Sequence, residues 1–216
     1  MKRLLTLIVL FLSALTMRAG LNANLKSCPG IVHYIDGHQE EFAKVTIPKA
    51  GSKKFNAVTA SGEKKTIQSL DVEFLELWRA KNPEESRDVL WCCADTRPDG
   101  TRKFLAWSTV LGQGKNISFY AHEGAYVMMT SGLGMQIRNT SPGPTIIYIK
   151  PGESGEYKVL GLGSVLLYNS KRLAKKLVEK VISDDPALCK SIQENKWKGR
   201  VYELFEQVAD IYSPQK

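Results

Sequence analysis

Turn-forming residues recur at short intervals over most of the chain, and this spacing constrains the fold more than any other feature. Between about residue 30 and residue 167, short runs rich in β-branched and aromatic residues alternate with Gly, Pro, Asn and Asp. The clearest turns are Asp36-Gly37 and Arg97-Pro98-Asp99-Gly100, because Pro fixes φ and Gly supplies positive φ values. Runs spaced roughly 8–12 residues apart are typical of antiparallel sandwiches and barrels. The sequence therefore predicts a β-rich body.

Individual runs within this body predict particular pairings. Residues 89–94 and 104–111 are predicted to form one hairpin, and residues 116–120 and 125–130 another. Residues 71–78 fit either a strand or a helix by length, and their partial alternation of apolar and polar residues favours a strand.

At Asn169 the spacing of the apolar residues changes, from every second residue as in a strand to the repeat of an α-helix. An amphipathic helix is predicted over about 171–183, a second helix begins near Asp185-Pro186, and a third covers 201–211. The apolar positions of the first helix are Leu173, Leu177, Val178, Val181 and Ile182. The sequence thus predicts an α+β protein with a β-rich body (20–168), sandwich or barrel-like, and a C-terminal segment (169–216) of two to three helices docked on it.

The first nineteen residues have the pattern of a signal peptide. Lys2 and Arg3 precede an apolar run that ends at Leu15, and Ala19 is a small residue that could precede cleavage. The run is too short to cross the ~30 Å hydrocarbon core, and no later stretch approaches about 20 apolar residues. We expect a periplasmic or secreted protein that is not transmembrane. An N-terminal anchor or a buried helix is the alternative interpretation of 1–19.

The basic charge of the chain is concentrated in its C-terminal part. The formal net charge is +8, and without residues 1–19 it falls to +5, from 27 basic and 22 acidic residues. The stretch 171–200 alone carries a net charge of +5. Four cations of the first predicted helix lie largely opposite its apolar side: Arg172, Lys175, Lys176 and Lys180. They predict contact with an anionic envelope surface or another envelope protein. A solvated helix face is the alternative, and export argues against nucleic acid.

Four cysteines remain after export, and they raise the possibility of disulfides. They are Cys28, Cys92, Cys93 and Cys189. An oxidising compartment allows disulfides to persist, and four cysteines have three complete pairings. A bridge between the adjacent pair is disfavoured because it would strain the disulfide geometry. Some of the four could equally be buried, unpaired small hydrophobes.

No motif in the chain specifies a reaction or a cofactor. Gly112-x-Gly114, Gly132-x-Gly134 and Gly161-x-Gly163 each lack the third glycine of a dinucleotide-binding loop. We interpret these pairs as turns and close-packed strands. The sequence also contains no Walker loop, no G-x-S-x-G elbow and no H-E-x-x-H pattern. We expect no cofactor.

The three histidines offer two weaker possibilities for a site. His33 and His38 could bind a metal together with Glu40 or Glu41, although nothing in their spacing demands it. His122 could act as a base for one of the two adjacent cysteines, or pair with a carboxylate. A thiolate of this kind needs a base within hydrogen-bond reach and access to solvent.

Three features of the sequence are familiar together. They are the turn-rich strands, the segment Lys150-Pro151-Gly152-Glu153 followed by Tyr157, and the segment DPALCKSI from Asp185 to Ile192. In these features the chain resembles uncharacterised exported proteins of Gram-negative anaerobic bacteria. The resemblance covers mainly 150–192 and implies an envelope setting without a known activity. The leading hypothesis is a non-catalytic exported binding or accessory protein. The alternatives are a small exported hydrolase with a Cys/His or His/carboxylate site, and a subunit of a surface assembly.

Overall fold

The computed structural model describes residues 26–79, 88–122, 128–130, 136–138, 145–151, 155–162, 171–194 and 201–214. Within these residues, ten strands form one antiparallel sheet, two more form a small separate sheet, and three helices follow the strands. The α+β class and the β-rich body predicted from the sequence are confirmed. The predicted signal peptide lies outside the described residues.

The elements are named in chain order. The strands are β1 (Ser27–Tyr34), β2 (Gln39–Thr46), β3 (Lys54–Val58), β4 (Lys64–Gln68), β5 (Val72–Leu77), β6 (Asp88–Thr96), β7 (Arg102–Gln113), β8 (Ser118–His122), β9 (Met128–Thr130), β10 (Gln136–Arg138), β11 (Thr145–Ile149) and β12 (Lys158–Leu162). The helices are α1 (Lys171–Val181), α2 (Pro186–Glu194) and α3 (Val201–Ile211). Hydrogen bonds place the strands of the large sheet in the order β12-β11-β8-β7-β6-β5-β1-β2-β3-β4.

The chain divides into two compact units, of which the first contains the described residues up to Pro48 together with Ser52–Trp91. In this unit β1 pairs with β2 on one side and with β5 on the other, and β5 (Val72–Leu77) confirms the strand predicted within residues 71–78. Gly37 and Gly62 have φ values of +88° and +87° in the tight hairpin turns. Alternate side chains of these strands form a buried core that includes Val32, Phe42 and Leu75.

Half-buried side chains of the first unit form an aromatic ladder across three strands. The ring of His33 stacks on Phe74, with 4.0 Å between their centroids, and Phe74 stacks on Trp91 at 5.2 Å. The register places these residues opposite one another on β1, β5 and β6. The rings therefore stack on each other, which stabilises the pairing of the three strands.

The second unit contains Lys49–Gly51 and the described residues from Cys92 onward. Its core lies between strands of the sheet and the helices. Its described members include Ile117, Phe119 and Ile146 from the strand side, and Val178 and Phe205 from the helices. The three helices lie close to their predicted positions, and α3 has the predicted bounds.

Two glycines of β7 and its following turn allow α3 to approach the sheet closely. A Cβ atom at Gly112 would lie 2.4 Å from the backbone oxygen of Phe205, and one at Gly114 only 1.7 Å from that of Ala209. Any larger residue would collide with helix backbone, which cannot rotate away as a side chain can. Gly112-x-Gly114 therefore marks the close packing of a strand and its turn against a helix, where the sequence interpretation had been turns and close-packed strands.

One predicted hairpin is wrong. β8 does not pair with the strand that follows it in the chain; it lies between β7 and β11, while β9 pairs with β10. The reason is burial: the first four of the five residues of β8 are buried, so this strand is covered on both faces and occupies an interior position in the sheet.

Among the described residues, no helix is long and apolar enough to cross a membrane.

Candidate binding groove in the helical segment

Helices α1 and α2 form a hairpin whose connecting turn is fixed by Asp185. One carboxylate oxygen of Asp185 accepts a hydrogen bond from the backbone N–H of Leu188 at 3.0 Å, which caps the N-terminus of α2. This is the role expected of an Asp directly before a proline at the first helical position. The other oxygen accepts from the backbone N–H of Ser213 at 3.2 Å. Asp185 therefore ties the hairpin to the chain that follows α3.

Asp184, in the same turn, is bound by Lys150 and Tyr212. The ammonium of Lys150 lies 3.1 and 3.2 Å from the two carboxylate oxygens, and the Tyr212 hydroxyl donates to one of them at 2.6 Å. Burial alone would raise the pKa of Asp184, but the hydrogen bonds from Tyr212 and Lys150 outweigh it and lower the pKa. Burial and the bond to Asp184 raise the pKa of Tyr212 to about 12. These three side chains anchor the turn, and the lowered pKa keeps the Asp184 carboxylate ionised at neutral pH.

An open groove of about 780 Å³ runs along the outer surface of α1 and α2. Half-buried apolar side chains and exposed ammonium groups both line it. The half-buried residues include Leu173, Leu177 and Cys189, and the exposed lysines are Lys176, Lys180 and Lys190. Three lysines line the groove against one acid, Glu179, so its surface favours contact with anionic groups.

The four cations predicted on α1 divide into two kinds. Arg172, Lys176 and Lys180 are exposed and make no hydrogen bond or ion pair with any residue that the structure describes. Lys175 differs, because its ammonium donates to the backbone oxygen of Ile192 at 3.1 Å. It therefore satisfies a carbonyl in the last turn of α2 and helps hold the helical hairpin together. Only the first three are available for a ligand.

The sequence interpretation missed the place of Lys190 beside the α1 cations and the half-burial of Leu173 and Leu177. Leu173 and Leu177 were expected on the buried face of α1, whereas they are half-buried and the fully buried positions include Ala174 and Val178. A signal was present: at 100° per residue, both leucines lie between the buried positions and the exposed Lys176 and Lys180. The missing information was the position of α2, which sequence periodicity does not supply.

The possible disulfides are not formed: all four cysteines are free. The Cys189 thiol donates a hydrogen bond to the backbone oxygen of Ile182 at 3.4 Å. Cys92 and Cys93 are both buried on β6, where successive side chains point to opposite faces. The alternative interpretation, buried unpaired cysteines, fits Cys28, Cys92 and Cys93.

The adjacent cysteines are poorly suited to nucleophilic catalysis. Burial raises the pKa of Cys92 and of Cys93 to about 12, so both are protonated at neutral pH. His122 lies on β8, which is separated from β6 by β7, or about 10 Å of sheet at the usual strand spacing. A general base must lie within about 3 Å of the proton that it removes. The geometry does not support a Cys92 or Cys93 pair with His122.

The two histidines considered as metal ligands have separate partners. His33 Nε2 lies 3.2 Å from Glu76 Oε1, and His38 binds Asp36 and stacks on Tyr34. Glu40, one of the two glutamates considered as a third ligand, accepts a hydrogen bond from Lys65 at 2.5 Å. In the part of the chain that the structure describes, no three His, Cys, Asp or Glu side chains lie together as a metal site would require.

No protein-family model matches the chain, and it shows no significant similarity to a curated protein or to a solved structure. Fold and site together define an α+β protein with a β-rich body and a helical hairpin that carries a cationic groove.

Proposed function

We propose that the chain is an exported envelope binding or accessory protein that holds an anionic partner through α1 and catalyses no reaction. The observation that carries this proposal is the set of three exposed cations, Arg172, Lys176 and Lys180, spaced so that they share one side of the helix. Within α1, five basic residues stand against one acid, so the helix has a strong local positive potential.

Each exposed cation can meet an anion at low cost, because no ion pair with a described residue has to be broken first. A lysine or arginine near an anionic surface contributes about 1 kcal/mol to binding. Removing two such cations therefore weakens binding by about 30-fold, and reversing their charge weakens it further.

The test uses the double substitution Lys176→Glu and Lys180→Glu. Binding is measured to polyglutamate and to vesicles containing phosphatidylglycerol, at low and at moderate salt. We expect a loss of about 30-fold or more for the probe that the wild type binds, and weaker wild-type binding at higher salt.

The matched control is the double substitution Lys54→Glu and Lys64→Glu, which changes the net charge equally. Both lysines are exposed at the β3–β4 hairpin. If the control loses as much binding as the α1 variant, only the net charge matters and the α1 site is wrong. Unchanged binding by the α1 variant also rejects it.

Export is part of the proposal and has its own measurement. N-terminal sequencing of protein recovered from the periplasm or medium of the expressing cell should begin near Gly20. An intact Met1 on protein recovered from the cytosol would contradict export.

A further inference from the structure

We propose that three neighbouring strands of the second unit, β7, β8 and β11, bind a small uncharged molecule that carries several hydroxyl groups. Its contacts are the side chains of Ser108, His122 and Thr145, which together we call the hydroxyl row. The site does not involve the cations of α1, so its failure would leave the proposed function intact.

The members of the hydroxyl row stand side by side across the sheet. Thr145 of β11 pairs with His122 of β8. On the other side of β8, the pairing of residue 109 with residue 121 puts Ser108 of β7 beside His122. Residues opposite one another on antiparallel strands point to the same face, with their Cβ atoms about 4.5–5.5 Å apart. Both hydroxyls therefore flank the imidazole of His122.

The hydroxyl row lies on the sheet face that is turned away from the helices. Phe119 of β8 and Ile146 of β11 belong to the core that the sheet shares with the helices. Side chains alternate between the two faces of a strand, so His122, three positions after Phe119, points the other way. Thr145, directly before Ile146, does the same. The row is thus separate from the helical core and from the α1 groove.

Two hydroxyls of the row are buried without a partner. Ser108 and Thr145 are 0% and 1% exposed, and neither hydroxyl oxygen has a hydrogen-bond partner among the described residues. Burial raises the pKa of Cys93 and the nearby Ser108 side chain opposes this rise, but no hydrogen bond of normal geometry joins the two. A buried hydroxyl without a partner loses its hydration and gains nothing in return. Two of them in one row indicate a partner outside the chain.

The chemistry of the row favours neutral hydroxyl groups in the ligand. A serine or threonine hydroxyl can both donate and accept, and a ligand hydroxyl can match either direction. No member of the row carries a permanent charge. A buried ionic ligand would need an opposite charge beside it to offset its lost hydration.

The length of the row indicates the size of the ligand. Ser108 and Thr145 are two strand spacings apart, or about 10 Å. One water molecule cannot reach both hydroxyls, because two hydrogen bonds of about 2.8 Å span only about 5.6 Å. The remaining distance, about 4–5 Å, is close to the separation of hydroxyl oxygens across a six-membered polyol ring. His122 is only half-buried, so such a ring reaches the row at its middle.

The experiment titrates the purified full chain with glucose and with myo-inositol, two uncharged ring polyols. The ring signals of the histidines are followed by NMR spectroscopy, and the variant His122→Gln assigns the signal of interest. We expect a saturable shift of the His122 signals with at least one of the two probes. His33 and His38 lie in the first unit and provide the internal reference, because their signals should not move.

Two variants test the contacts, since Ser108→Ala and Thr145→Val each remove one hydroxyl with little change in shape. We expect each to weaken binding about 3- to 10-fold, the usual effect of one neutral hydrogen bond. Ser69→Ala is the matched control, because this serine is equally buried but its hydroxyl already donates to the backbone oxygen of Ser52 at 2.7 Å. It should leave the affinity unchanged.

A second readout needs no probe. In buffer alone, Ser108→Ala and Thr145→Val should not lower the Tm, whereas Ser69→Ala should lower it. The reason is that only Ser69 loses a hydrogen bond that the free chain makes.

Three results would overturn the inference. The absence of a His122 shift with either probe would reject a site for neutral polyols. Unchanged affinity in both row variants would place the probe elsewhere on the protein. A lower Tm of both row variants in buffer alone would show that ordered water already satisfies the two hydroxyls.

Discussion

At the scale of single residues, Asp88 is the clearest case of a group whose environment opposes its usual charge. It begins β6 and is half-buried. Burial raises the pKa of Asp88 from 3.8 to about 6, although the nearby Arg79 acts in the opposite direction. The folded state therefore retains a proton that the unfolded state has already released, and stability falls as the pH rises from about 4 to 6.

Replacing Asp88 by Asn removes this cost. We expect Asp88→Asn to raise the free energy of unfolding at neutral pH by about 1 kcal/mol, a value reduced from the full pKa shift because the group is partly exposed. The gain should shrink below about pH 4, where the aspartate is protonated in both states. Urea denaturation at several pH values provides the measurement. Glu73→Gln, at an exposed position on β5, is the control, and an equal gain at all pH values would contradict the explanation.

The cysteines give a second prediction at this scale. A thiol titration in denaturant without reductant should find four thiols, because all four cysteines are free. In the native protein, Cys92 and Cys93 should react far more slowly than denatured thiols, since a pKa of about 12 leaves roughly one thiolate in ten thousand at pH 8. Fewer than four thiols in denaturant would show that a disulfide forms.

At the scale of elements, β7 and α3 can approach closely because Gly112 and Gly114 have no side chains. Both glycines face backbone oxygens of the helix, so the separation of the two elements is limited by main-chain atoms. Helix and sheet that approach this closely exclude water from the buried residues beside them, among them Phe205 and Ala209.

Gly114→Ala should therefore destabilise the protein strongly. We expect a loss of about 3 kcal/mol and a fall in Tm of roughly 6–12 °C, because the new Cβ would force α3 away from the strand. Gly51→Ala is the matched control, since a Cβ there meets nothing within 4 Å, and its effect should stay within about 0.5 kcal/mol. Thermal unfolding followed by circular dichroism measures both. A similar Tm for the two variants would mean that α3 shifts without cost.

At the scale of the whole molecule, Tyr212 connects segments that are far apart in the chain. Its hydroxyl donates to Asp184, its ring lies 4.9 Å below the ammonium of Lys150, and its backbone oxygen accepts from Asn116 at 3.0 Å. Its side chain is also part of the buried core of the second unit. One residue near the C-terminus thus links β11, the α1–α2 turn and the turn before β8.

Tyr212→Phe isolates the hydroxyl, because the ring and the backbone bond remain. We expect a loss of about 1–3 kcal/mol, the usual range for a hydrogen bond to a charged group, with a single cooperative transition retained. Tyr148→Phe is the control, since the structure shows no hydrogen bond from the hydroxyl of Tyr148 to a described residue. Guanidinium denaturation compares the two, and equal stabilities would show that the hydroxyl contributes nothing.

Sequence patterns within a few residues predicted most of this architecture. The features that they did not predict lie where elements distant in the chain come into contact. Gly37, Gly62 and Pro186 act within a few residues of themselves, so the turns and the start of α2 could be predicted. The pairing of β8 with β11 depends on which strands compete for a buried surface, which local spacing does not encode. The same holds for the groove: α1 alone predicts its cations, but Lys175 is removed from the site only by the position of the Ile192 carbonyl.

The close approach of β7 and α3 also bears on how distant relatives of this chain could be recognised. Side chains are substituted between related proteins, so sequence similarity that depends on them decreases. A collision with main-chain oxygens, in contrast, cannot be relieved by a substitution at a neighbouring position. A chain that shares this arrangement should keep two glycines, two positions apart, at the end of a long strand, together with a C-terminal helix that crosses them. That pair of features, more than the groove or its lysines, is what divergence would preserve.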